Sequence, residues 1–185
     1  AKATDAFNFI SFLAGPSANF TYDSSVPDDY GVLDFGSIEG TSDGSGVQFS
    51  SPEADYAEYI EKENPKEVID KGDIVGISGG KISLRTDGAQ QVMVRSAAPI
   101  VLGNSKKPQD LYRYEPIAFL GQIPVKVRGP VSEGDLIIPS GKNDGTGIAI
   151  KYEALSAEQI DKIIGRAWES SDNKEVHKVK TVVGL

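Results

Sequence analysis

Between Asp73 and Thr86 the chain reads Asp-Ile-Val-Gly-Ile-Ser, turns on Gly79-Gly80, and resumes as Lys-Ile-Ser-Leu-Arg-Thr. Two β-prone runs around two glycines form a hairpin signature, because glycine supplies the positive φ of a two-residue turn at little steric cost. The device recurs along the chain, which holds 20 glycines and 10 prolines in 185 residues. Runs this short, punctuated this often, exclude long helices.

From Asp55 onward the runs are regular. Strands are expected at 55–61, 73–78, 81–86, 91–96, 99–102, 116–122, 124–128, 134–138, 147–152, 164–170 and 176–183. A looser turn, Ser140 to Gly145, joins the eighth to the ninth. One short helix is expected over 156–163, with Ser156 as cap and Glu158 and Gln159 in its first turn. Strands at this spacing predict an all-β, barrel-like domain of short antiparallel strands over residues 52–185.

Residues 1–51 differ in kind. The first 60 residues carry ten acids against one base, Lys2, whereas residues 61–185 carry 17 acids and 18 bases. The segment is rich in Gly, Ser and Asp, as at Thr41 to Gly46, and contains apolar runs at 7–13 and 32–38. It is expected to be an extended strand-and-loop segment that takes neighbouring chains to complete its core.

A weak repeat links the two ends of the main domain. Val68 to Val75, ending Gly72-Asp73-Ile74-Val75, is echoed 62 positions later by Pro130 to Ile137. In each copy Gly takes the turn and the Asp carboxylate ties down backbone N–H groups before a strand begins. The competing reading, a paired acid site of Asp73 and Asp135, has less in its favour.

Composition removes whole classes of function. The chain has no cysteine, which excludes a disulfide scaffold, a thiol nucleophile and cysteine-ligated zinc. The single histidine, His177, excludes a multi-histidine metal site within one chain. Flanked by Glu175, Lys178 and Lys180, it reads as a solvated strand residue and a poor general base. A net charge of −8 argues against nucleic acid as a partner. No apolar run approaches the ~18 residues of a membrane span. The opening Ala-Lys-Ala-Thr-Asp lacks the form of a signal peptide, so the chain reads as a processed product or excised fragment. No cofactor and no metal are expected.

Several residues remain as candidates. Asp55 and Glu58 form a carboxylate pair, yet three positions apart on a strand they fall on opposite faces. Alternation then puts Tyr56, Glu58 and Ile60 on one side and Asp55, Ala57 and Tyr59 on the other. Asp23, Asp28, Asp29, Asp34 and Asp43 supply calcium-type oxygens without the D-x-D-x-D-G spacing. Asn19-Phe20-Thr21 is a glycosylation sequon. Lys106, Lys107, Tyr112, Arg113 and Tyr114 interleave base and aromatic groups in a way that suits an anion or glycan, and more simply a solvated loop. Trp168 is expected half-buried in the barrel.

Six stretches in order carry a family likeness: Ala54-Asp55-Tyr56-Ala57-Glu58-Tyr59, Asp70 to Val75, Pro99 to Asn104, Pro116 to Val127, Glu133 to Ile137, and Ile164 to Ala167. Together, over roughly residues 52–185, they resemble the peptidase G2-like C-terminal chaperone and self-cleavage domain of phage neck-appendage and tail-fibre proteins and related bacterial surface proteins. The resemblance implies a β-rich domain on a trimeric fibre, setting three chains in register, in a virion, at a cell surface or outside the cell. In self-cleaving members it implies a cut before the Asp of D-Y-A-E, after a Ser, with the Glu required. Carried over, the bond is Ala54–Asp55 and the acid Glu58. Ala54 stands where those members carry Ser, so the expectation is a homotrimeric assembly domain without catalysis. The alternatives are a self-processing endopeptidase using Glu58 and Asp55, and a module that binds a cell-surface glycan or receptor.

Overall fold

The computed structural model describes residues 8–14, 33–40, 45–50 and 54–184. They belong to two compact units, Ala1–Pro52 and Glu53–Leu185. In the first, β1 (Asn8–Ala14), β2 (Leu33–Gly40) and β3 (Val47–Ser50) form an antiparallel meander. Its register sets Ile10, Ile38 and Phe49 in one row and Ser11, Ser37 and Ser50 in the next.

The second unit is built around one long strand. The expected strands at 116–122 and 124–128 are a single strand, β9 (Tyr114–Arg128), which carries Pro116 and Pro124 within it. Gly121, at φ 128°, lets the chain change course without a break. The other strands are β4 (Ala54–Glu61), β5 (Ile74–Ser78), β6 (Lys81–Ser83), β7 (Gln91–Arg95), β8 (Val101–Gly103), β10 (Leu136–Pro139), β11 (Gly147–Ile150), β12 (Gly165–Ala167) and β13 (Val176–Val183).

Two five-stranded rings share β9. In the second ring, β9 pairs with β13, β13 with β12, β12 with β10, β10 with β11, and β11 returns to β9 in parallel at Gly147 and Val127. In the first, β9 pairs with β7, β7 with β5, β5 with β6, and β4 with β9. A parallel bridge from Lys62, just past β4, to Ile82 of β6 closes it. In chain order the strands of both rings have the same neighbours. The barrel class is therefore as expected, and the weak repeat is the trace of this doubled connectivity.

The correspondence extends to single hydrogen bonds. Gly72 and Gly134 have φ of 88° and 87°. Their N–H groups donate to Arg95 O at 3.0 Å and Ala167 O at 2.9 Å. Asp73 Oδ2 accepts from Asp70 N at 2.6 Å, and Asp135 Oδ2 from Ser132 N at 2.8 Å. Each Asp also holds a lysine, Lys126 at 2.7 Å and Lys151 at 2.5 Å. These aspartates are turn locks, as the simpler reading had it.

Each ring has its own core. Ile69, Val75, Ile82, Met93 and Ile117 cluster in the first. Ile123, Val125, Val127, Ile137, Ala167 and Val179 belong to a larger cluster that also takes in Ile74, Val92, Val94 and Ala118 from the first ring. Burying a Val or Ile side chain contributes about 1.5–3 kcal/mol, so this shared cluster binds the rings into one body.

One expectation is corrected. The helix over 156–163 is a 3₁₀ helix, Ala157–Lys162, with Ser156 N–H donating to Gln159 Oε1 at 2.9 Å. Pro108–Arg113 and Tyr152–Ala154 are also 3₁₀ helices. Six residues between strands allow little beyond i→i+3 bonding. Trp168, just past β12, is 52% exposed and so half-buried, as expected. The alternation of β12 turns Ala167 inward, so its neighbour faces out.

Candidate functional site

The D-Y-A-E segment opens β4, and β4 lies between two partners. It runs antiparallel to β9 and parallel to the short β8. Asp55 and Ala57 are buried, at 1% and 0% exposure. Tyr56 and Glu58 are part-exposed and two apart, hence on the other face. Asp55 and Glu58 therefore belong to opposite faces of one extended strand.

Spacing by two brings Tyr56 and Glu58 together, and the Tyr56 hydroxyl donates to Glu58 Oε1. Gly103 of β8, the register partner of Glu58, makes room: a Cβ there would stand 3.1 Å from both Tyr56 Oη and Glu58 Cγ. The hydrogen bond to Glu58, then desolvation and the nearby negative charge, push the Tyr56 phenol above its ordinary pKa. Tyr56 thus stays a proton donor through neutral pH, and its ring meets Phe119 with centroids 6.0 Å apart and planes tilted by 56°.

Gly121 governs the other side of the Ala54–Asp55 peptide. A Cβ on Gly121 would fall 2.3 Å from the Ala54 carbonyl oxygen and 2.6 Å from Asp55 Cα. Only glycine allows β9 so close to this bond. The Asp55 carbonyl accepts from Ile100 N–H at 2.9 Å, which ties the bond to the chain entering β8.

The remaining candidates are dispersed. His177 is half-buried at the start of β13, its Nδ1 3.0 Å from Glu175 O. In the base–aromatic stretch, Arg113 pairs with Glu61, and Lys106 reaches Asn104 Oδ1 at 2.6 Å and lies 5.1 Å from the Tyr114 ring centroid. Asn19 and the acids Asp23, Asp28, Asp29 and Asp43 lie outside the described residues, and Asp34 is placed only as a residue of β2. Among the described residues no cluster of three or more His, Asp or Glu has metal-site geometry, and no helix is long and apolar enough to cross a membrane.

Two features lie beyond the sequence-based reading. A cleft of about 420 Å³ is lined by residues of β7, β9, β12 and β13 and of the 3₁₀ segments, among them Met93, Phe119, Tyr152, Ile160, Arg166 and Val183. The second is exposed apolar surface beside β4: Val101, Leu102, Phe119 and Leu120 are 49%, 39%, 39% and 59% exposed. Ala118-Phe119-Leu120, three apolar residues in succession inside a strand, was the available signal. At this point β9 carries one residue more than β4, because Tyr56 pairs with Leu120 and Ala57 with Ala118.

No protein-family model matches the chain, and no curated protein matches it. Among solved structures, the pre-mature bacteriophage phi29 gene product 12 shares the fold, with a TM-score of 0.51 at 14% sequence identity. The match covers 82% of this chain and 24% of that one, so this chain spans about a quarter of the phage protein. At that identity the likeness establishes a common architecture.

Proposed function

We propose that this chain is a structural assembly module of a phage-type fibre or appendage, or of a related surface protein, whose work is to hold copies of itself in register as a homotrimer. The observation that carries the reading is the shared architecture with the bacteriophage phi29 protein over 82% of the chain. The fold suits the task, since two rings locked by one shared strand and one core cluster make a rigid block. Joining three such blocks raises the effective concentration of whatever each chain carries upstream and fixes its register. A virion or cell surface is the setting this role implies. Sedimentation of the intact chain tests it: the mass of three 19.7-kDa copies is expected, and a monomer at all concentrations overturns the reading.

A second reading, self-processing at Ala54–Asp55, is favoured by position. That bond lies two residues past the boundary between the two compact units, so its hydrolysis would cut the chain close to that boundary. The pre-mature state of the phage structure is in keeping with a maturation step. Glu58, held by the Tyr56 hydroxyl, would act as the proton acceptor. A fragment beginning at Asp55, lost in Glu58→Ala, would support this reading. Persistence of the intact band in the unmodified chain would end it.

A further inference from the structure

We infer that the face of β4, β8 and β9 carrying Val101, Tyr56, Phe119 and Leu120 is the surface by which one copy of this chain meets the next. The inference rests on the assembly reading and adds the place. Val101, Tyr56 and Leu120 are register partners across three strands, so they occupy one row and one face. Phe119 joins them through its ring contact with Tyr56. Val101 is 49% and Leu120 59% exposed, in a unit whose other Val, Ile and Leu strand residues are mostly buried. The patch is also preorganised, because the Tyr56 ring is held at its hydroxyl by Glu58 and meets the tilted ring of Phe119. A fixed aromatic among exposed aliphatic groups is the usual anchor of a protein interface.

Charge selects the occupant. Lys106 and Lys107 lie three and four residues past the end of β8, and neither makes an ion pair among the described residues, although eight other ion pairs form. The partner that fits is acidic, and a second copy is acidic: net −8, with ten acids against one base in its first 60 residues. Opposed charge at the rim of an apolar patch steers association and fixes orientation.

The test uses the intact chain and positions already in solvent, so the fold is not put at risk. Leu120→Lys and, separately, Val101→Lys are compared with Val68→Lys, at a residue 74% exposed elsewhere on the surface. Each is followed by sedimentation, with circular dichroism to verify the fold. At least tenfold weaker self-association is expected for the first two and no change for the third. Lys106→Glu with Lys107→Glu should weaken association and reduce its salt dependence. If the unmodified chain is a monomer, the assembly reading fails and this inference with it. If it is an oligomer and both patch variants associate as tightly as the unmodified chain, the inference alone is overturned.

Discussion

The doubled connectivity supplies an internal control for the worth of a partly buried ion pair. Asp73 and Asp135 do the same work in the two rings, and their side chains are 5% and 7% exposed. Each accepts one backbone N–H three residues upstream. Their lysines differ, since Lys126 is 23% exposed and Lys151 59%. Replacing either Asp by Ala orphans a backbone donor bonded to a charged acceptor, a loss of about 1.5–3 kcal/mol. The exposed Lys151 adds about 0–1 kcal/mol. The better shielded Lys126 loses its nearer and more buried partner and keeps only the exposed Asp70 at 3.4 Å, which adds roughly 1–2 kcal/mol, below the 3–5 kcal/mol of a fully buried pair. Asp135→Ala should therefore cost about 2–3 kcal/mol and Asp73→Ala about 3–4 kcal/mol. Urea unfolding followed by fluorescence of Trp168, the sole tryptophan, reports the unit that contains both sites. Protein concentration is held fixed, because self-association would shift the midpoint. Equal costs at the two sites would refute the shielding argument. A cost below about 0.5 kcal/mol at either would refute the turn-lock argument, since that is the range of an indifferent surface change.

Gly121→Ala combines a backbone conformation closed to L side chains with a Cβ 2.3 Å from the Ala54 carbonyl oxygen. A loss on the order of 3 kcal/mol is expected, together with faster proteolysis near residue 54, and a variant as stable as the parent would show that β9 does not press on that bond. Asp144 gives a pH prediction. Burial raises its pKa, but hydrogen bonds from Thr146 Oγ1 and N, Arg128 and Ser140 outweigh it and hold the carboxyl below its ordinary value. Its contribution is thus complete above the unfolded pKa of ~3.9 and lost as pH falls through the folded one. The stability gap between the parent and Asp144→Asn should narrow below about pH 4. A gap independent of pH would exclude the charge as its source.

Much of the second unit was legible residue by residue. Local pattern marks a strand because alternation and glycine turns act over a few positions, as at Gly79-Gly80 and Gly134-Asp135. The sequence also foretold that Asp55 and Glu58, three apart on a strand, would face opposite ways. It could not foretell that Pro116 and Pro124 sit inside one strand, because a proline is tolerated wherever the particular neighbour asks nothing of its missing N–H. Nor could it show that β8 returns to lie beside β4 in parallel, which creates the row from Val101 through Tyr56 to Leu120. Strand identity is a property of short-range sterics and periodicity, and the chain states it directly. Which strands become neighbours, and so which apolar residues are left facing water, depends on long-range closure, and only the two rings around β9 decide that.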